Sequence, residues 1–233
     1  EAVDGPGESD DAVSLVVIGT DTGAGKTVTC AVLLARYGPK MHLAYWKPIA
    51  TGAVEGRDAD FVRHVAGDTC DVLPELYLFG PPLSPHLAAR LEGARIDPER
   101  VLEALVAHGI EDRERSLVIE GVGGLLVPLT DRGYLLASLL RELHLPCLLV
   151  ARSTLGTINH TLLTLEVLRS RGLELAGVVL SGPRNAENRA AIERFGQAEV
   201  VGEIPPIRPM GRAGVLRAAK SFDRRGKLKR FFA

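Results

Sequence analysis

The chain of 233 residues has no apolar run approaching the roughly 20 residues of a membrane-spanning helix, so a soluble protein without a membrane partner is expected. It has no charge excess either. With 28 basic and 29 acidic residues the formal net charge is −1, so no global field favours nucleic acid, and a small-molecule partner is expected instead. Cysteine is scarce: Cys30, Cys70 and Cys147 do not form a disulfide framework, and Cys30 and Cys147 fall within apolar segments. A reducing, cytoplasmic compartment follows as the expectation. There is no internal repeat, and no Met at the start, which reads as a processed or cloned fragment. Residues 1–12 lack the basic and apolar regions of a secretory signal; acidic and containing Gly5-Pro6-Gly7, they read as a disordered lead-in.

What is present is hydrophobic content of 46%, ample for one continuous core, arranged in a regular rhythm. Short apolar runs at Val13 to Ile18, His42 to Trp46, Ser116 to Ile119, Pro146 to Val150, Leu175 to Leu180 and Val200 to Ile204 alternate with helical patterns. Helices are predicted over 26–37, 58–66, 85–92, 97–108, 134–142, 157–171 and 186–195. In the 157–171 segment Ile158, Leu162, Leu165 and Leu168 recur at helical spacing before Gly172. Strands that are apolar on both sides need helices on both faces. The expected fold class is therefore α/β, one domain over 13–220 with a mostly parallel sheet. Residues 67–85, with four prolines, read as an irregular connection on the active-site side. Residues 221–233 read as a basic, solvated C-terminal tail.

The first apolar run leads directly into Gly19-Thr20-Asp21-Thr22-Gly23-Ala24-Gly25-Lys26-Thr27. A buried strand that breaks into a glycine turn and reopens as a helix points backbone N–H groups into one concavity, to which the helix N-terminus adds partial positive charge. This is a phosphate-binding loop, although its first glycine stands one residue earlier than in the G-x-x-x-x-G-K-[ST] pattern. Lys26 is placed to reach β- and γ-phosphate oxygens, and the Thr27 hydroxyl to meet the Mg²⁺ that accompanies them. Ligands of open α/β sheets bind beyond the C-terminal strand ends. There the chain carries Lys47 after the second run, Glu120 and Gly121-Val122-Gly123-Gly124 after the third, and Ser153 to His160 after the fourth. Glu120 is a candidate acid toward Mg²⁺, and Lys47 a second ammonium beside the same phosphate. Asp58 opens a predicted helix, with Asp60 close enough to compete for its role.

The ordered set of motifs carries a resemblance. Gly19-Thr20-Asp21-Thr22-x-x-Gly25-Lys26-Thr27, Lys47-Pro48-x-x-Thr51-Gly52, Ser84-Pro85-His86, Glu120-Gly121-x-Gly123-Gly124, Gly156-x-Ile158-Asn159-His160 and Gly202-Glu203-Ile204-Pro205 resemble dethiobiotin synthetases over roughly residues 13–207. The resemblance implies a P-loop fold and an ATP-dependent cyclo-ligase of biotin biosynthesis. It would form dethiobiotin from 7,8-diaminopelargonate and CO₂ through a carbamate and a carbamic-phosphoric anhydride. It implies Thr27, Asp58 and Glu120 as Mg²⁺ ligands, and Lys26, Lys47 and Thr22 as catalytic residues. Nucleotide contacts would come from Gly23, Ala24, Gly25, Lys26, Thr27, Val28, Asp58, Glu120, Gly121, Val122 and Gly123, and from Ser181, Gly182, Pro205, Pro206 and Ile207 nearer the base. Substrate contacts would come from Thr22, Lys47, Thr51 and Gly123. Gly156, Thr157, Ile158 and Asn159 would hold the far carboxylate from the second subunit of a homodimer.

Two departures bear on this. Gly23 replaces an acidic residue common in the family, and Ser181 replaces an asparagine that reads adenine, so either base selectivity is weak and other nucleoside triphosphates serve, or selectivity depends on backbone groups around Pro205, Pro206 and Ile207. Rival readings are a ParA/MinD-like ATPase switch, whose loop needs a lysine where Asp21 stands, and a cobyrinate-type amidating domain, whose glutaminase partner has no room after residue 207. A degenerate nucleotide-binding module is the third.

Overall fold

The computed structural model describes residues 14–67, 69–109 and 115–232; the expected lead-in at 1–12 lies outside them, as does Val13. The chain runs β1 (Leu15–Gly19), α1 (Lys26–Tyr37), β2 (Leu43–Trp46), β3 (Ile49–Ala50), α2 (Asp58–Ala66), β4 (Asp71–Val72), β5 (Tyr77–Leu78), α3 (Pro85–Leu91) and α4 (Pro98–Ala107). It continues through β6 (Ser116–Gly124), α5 (Leu136–Leu143), β7 (Cys147–Arg152), α6 (Thr157–Ser170), β8 (Leu175–Ser181), α7 (Ala186–Gly196), β9 (Val200–Ile204) and α8 (Arg212–Ser221).

Seven strands form one parallel sheet in the order β4-β2-β6-β1-β7-β8-β9. Both faces are covered, as the uniformly apolar strands require. Val16, Ile18, Leu117, Ile119 and Leu149 pack beneath α3 to α7, whereas Leu15, Val17, Tyr45, Val118 and Leu148 pack beneath α1, α2 and α8. Because β1 lies between β6 and β7, chain connections diverge at its C-terminal end and leave the crevice in which such sheets bind ligands. Register then fixes what lines that crevice: Val17 pairs with Glu120, and Gly19 with both Gly124 and Val150.

Four features differ from the sequence-based expectation, the first being α8, which is not among the predicted helices. β6 does not stop at Ile119 but runs through Glu120 to Gly124, so Glu120 is held within the sheet rather than in a loop after it. Glycines usually weaken a strand, but here they let it pass close under the phosphate loop: a Cβ on Gly124 would stand 3.2 Å from the Thr20 carbonyl. The 67–85 connection contains β4, which extends the main sheet, and β5, which pairs with β3 in a small second sheet.

The 221–233 segment is not a solvated tail where it is described. Phe222, Leu228, Phe231 and Phe232 are buried against the α1 side of the sheet. Asp223, also buried, accepts a hydrogen bond from the Tyr37 hydroxyl and others from the Lys227 and Leu228 N–H groups at 2.9 and 2.8 Å. The basic residues are interleaved with aromatic and aliphatic ones, which turn inward and leave the charged heads at the surface. Phe222→Ala is expected to destabilise the fold by about 3–5 kcal/mol. Urea unfolding measures this, and an unchanged midpoint would mean that the segment is outside the cooperative core.

Candidate active site

The phosphate loop closes over the end of β1 as a left-handed turn into α1. Gly25 has φ 101°, and any Cβ there would collide with the Ser181 side chain, so backbone strain and packing both demand glycine. Lys26, 6% exposed, folds back beneath the loop, its Nζ donating to the carbonyls of Asp21 at 3.1 Å and Gly123 at 2.9 Å. Burial pulls this ammonium below its ordinary pKa, with Glu120 opposing the shift and Lys47 adding to it.

Beside it lies a polar cluster built from four elements. Thr27 from α1 places Oγ1 2.8 Å from Asp58 Oδ1 and 2.9 Å from Glu120 Oε1; one hydroxyl proton can serve only one of them at a time. Lys47, just after β2 and 6% exposed, donates to Asp58 Oδ2 and to Glu120 Oε1, the latter at 2.8 Å. Tyr45 on β2 donates to the other Glu120 oxygen at 2.8 Å. Burial disfavours the Lys47 ammonium, but Glu120 and Asp58 outweigh it and hold its pKa above the ordinary range. Burial also works against the Asp58 carboxylate, and Lys47 and Thr27 reverse that and hold its pKa below the usual value.

These groups face a cavity of about 760 Å³. Its walls include Thr22, Gly23, Gly25, Lys26, Thr27 and Val28 from the loop, Lys47, Thr51 and Asp58, and Glu120, Val122 and Gly123 from β6. Two carboxylates and a hydroxyl are hard-oxygen donors of the kind that could hold Mg²⁺, an ion that takes much of its shell from water and phosphate oxygens. No group of three His, Cys, Asp or Glu side chains suited to a metal occurs among the described residues.

A sequence-family model described as AAA domain matches residues 13–213. The ATP-dependent dethiobiotin synthetase BioD of Paramagnetospirillum magneticum is 44% identical to this chain over 191 residues, covering 82% of this chain and 87% of that protein. Its namesake in Bradyrhizobium diazoefficiens is 42% identical, over 84% and 88%. The chain belongs to the ATP-dependent dethiobiotin synthetase family. In fold it is also similar to the septum site-determining protein MinD of Pyrococcus horikoshii, solved with Mg-ADP. The TM-score is 0.57 at 18% identity, over 94% of this chain and 92% of that one, a likeness of architecture alone.

Within the site the two competing aspartates separate cleanly. Asp58 joins Thr27 and Lys47, whereas Asp60 turns outward to Arg63 at 2.6 Å and is 55% exposed in its side chain. Ala24, Gly121, Ser181, Gly182, Pro205, Pro206 and Ile207 do not line the cavity. Of these, Ser181 packs against Gly25, and Gly182 donates to the Ile204 carbonyl at 2.9 Å, which ties the ends of β8 and β9 together near the loop. Ile207 is partly buried against Gly214 of α8. Gly156 to Asn159 begin α6 outside the cavity; the Thr157 side chain is buried against Thr161, so only its backbone is placed to meet a ligand.

Two residues of the site were missed in the sequence. Tyr45 reads as a core strand aromatic, and only its hydroxyl marks it. Arg152, at the end of β7, pairs with Asp21 and donates to the Thr22 carbonyl at 2.9 Å, pinning the phosphate loop from the neighbouring strand. Its place at a C-terminal strand end was the available signal.

Because the folded-state pKa of Asp58 is depressed, its stabilising contribution is complete above the ordinary carboxylate value and is lost as pH falls through the folded one. Asp58→Asn is therefore expected to lower stability at pH 7 and to flatten the loss of stability below about pH 4. Urea unfolding at both pH values measures this; an identical acid limb in the two proteins would remove Asp58 from it.

Proposed function

We propose that this chain makes dethiobiotin, closing a ureido ring on 7,8-diaminopelargonate with CO₂ at the expense of ATP. The observation that carries the reading is the convergence of Lys26, Lys47, Thr27, Asp58 and Glu120 at one phosphate loop, in a chain 44% identical to a named dethiobiotin synthetase.

In the first step an amine nitrogen attacks CO₂ and sheds a proton, leaving a carbamate. A carbamate oxygen then attacks the γ-phosphorus as its bond to ADP breaks. Finally the second amine attacks the carbamoyl carbon, loses a proton and expels phosphate. A carbamate is a weak nucleophile and an unstable anion, so fixed positive charge and exclusion of water both preserve and aim it. Lys47 is preorganised for that task by its two carboxylates. Lys26 would exchange the Asp21 and Gly123 carbonyls for phosphate oxygens, and the N–H groups at the start of α1 would cradle the phosphates. Thr27, Asp58 and Glu120 would hold Mg²⁺, which supplies charge neutralisation on the phosphate oxygens. Thr22, Thr51 and Gly123, on the cavity wall, would contact the diamine and its carbamate. The base would lie near Ser181, Gly182 and Pro205 to Ile207, where a single hydroxyl discriminates poorly among bases.

Gly156 to Asn159 stand apart from the cavity, which accords with service to a second copy of the chain. Leu126 and Leu163 flank a 440 Å³ groove beside the phosphate loop, and both are exposed, as is Leu155 at 103%. Such leucines suit a homodimer interface. No helix among the described residues is long and apolar enough to cross a membrane.

Phosphate release from MgATP is expected to require both the diamine and bicarbonate and to coincide with dethiobiotin by mass spectrometry; release without the diamine would favour a switch ATPase. Lys47→Ala is expected to lower turnover at least 100-fold while circular dichroism stays native, and a near-normal rate would remove Lys47 from the mechanism. Leu163→Glu is expected to give monomers in sedimentation and to raise KM for the diamine more than for ATP. A wild-type protein that sediments only as monomer would overturn the shared site.

A further inference from the structure

A second cavity, of about 870 Å³, lies on the α3 to α5 side of the sheet and takes no part in the chemistry above. Its volume is within the range of small-molecule sites. Buried Ala89, Ile96 and Leu129 give it an apolar wall. Two acids and two arginines stand around it, and they are not equivalent. Asp97 caps α4, accepting from the Glu99 N–H at 3.1 Å, and Asp131 pairs with Arg90 at 3.0 Å. Arg95 and Arg132, both exposed, have no ion pair or hydrogen bond among the described residues. With Asp131 balanced by Arg90, the two arginines outnumber the one unpaired acid, Asp97, and the balance of charge at this cavity is positive. His86 contributes to the same lining.

We propose that this cavity is a second ligand site, for an amphipathic organic anion. The hydrocarbon body lies against Ala89, Ile96 and Leu129, and the carboxylate stands at the rim with Arg95 and Arg132. Guanidinium groups suit this because they are weakly hydrated and present paired donors to a carboxylate. The site backs onto the catalytic cavity: Ser84 and Pro85 line one and His86 the other, while Val127 and Leu129 divide in the same way, and the His86 N–H donates to the Pro128 carbonyl between them at 3.4 Å.

The test is calorimetric titration of the whole protein, saturated with MgADP and the diamine, using octanoate and octylammonium, which share a chain and differ in charge. Octanoate is expected to bind saturably and octylammonium at least 10-fold more weakly. The Arg95→Gln/Arg132→Gln double variant, altered only at exposed positions, is expected to lose octanoate affinity at least 10-fold while keeping its kcat. Unchanged octanoate affinity in that variant would place the ligand elsewhere and overturn the proposal. So would equal binding of the two probes, or no saturable binding of octanoate.

Discussion

The constraint on which this structure depends is charge balance among side chains held largely out of solvent. Lys26, Lys47 and Glu120 are almost fully buried and Asp58 is mostly so, and together they sum to zero formal charge. An ion moved from water into protein without a partner costs several kcal/mol, and removing one member of a buried pair leaves the other to bear that cost. Each side chain must therefore arrive with its partner, and each arrives from a different element. Glu120 has to stand within β6, beside β1, to meet Thr27. Lys47 and Tyr45 have to come from β2 on the far side of β6, and Asp58 from the first turn of α2 above them. The order β2-β6-β1 is what brings these groups within hydrogen-bond distance. On the proposed function the same balance would suit a nucleotide: phosphate charge entering from the loop would meet two ammonium groups, and the hydroxyl-carboxylate set would be left for a divalent cation.

Much of this was legible because parallel sheets write themselves plainly into sequence. Strands covered on both faces have no polar alternation to confuse them with amphipathic helices, so β1, β2, β6, β7, β8 and β9 were each located by an apolar run. Lys26 and Thr27 could be named from the phosphate-loop motif, Lys47 and Glu120 from their place at strand ends, and Asp58 from the resemblance to dethiobiotin synthetases. The remainder was hidden for specific reasons. β3, β4 and β5 have two residues each and leave no period to detect. The continuation of β6 looked like a loop because it is glycine-rich, although the glycines are there for clearance beneath the phosphate loop. The C-terminal segment read as solvated because charge counting ignores which residues lie between the charges. Asp58 and Asp60 could not be separated by spacing, since only the direction of the first turn of α2 decides which carboxylate faces Thr27.

Fold likeness alone would not have chosen between a synthetase and a switch. The MinD architecture overlays most of this chain, yet what distinguishes them sits on a few loop positions. Asp21 is the clearest case. In the switch ATPases a lysine at this position of the loop is expected, whereas here it is an acid tied to Arg152 of the same chain. A cation at the end of β7 thus reaches the loop from within the subunit and holds the Asp21 side chain and the Thr22 carbonyl, while the Asp21 carbonyl receives Lys26. Asp21 and Thr22 are thereby tied to the end of β7 through side chain and backbone alike. A switch draws its signal from a rearrangement on nucleotide binding, whereas a site that on the proposed reaction would have to protect a short-lived carbamate gains from the opposite, groups held in place by their neighbours.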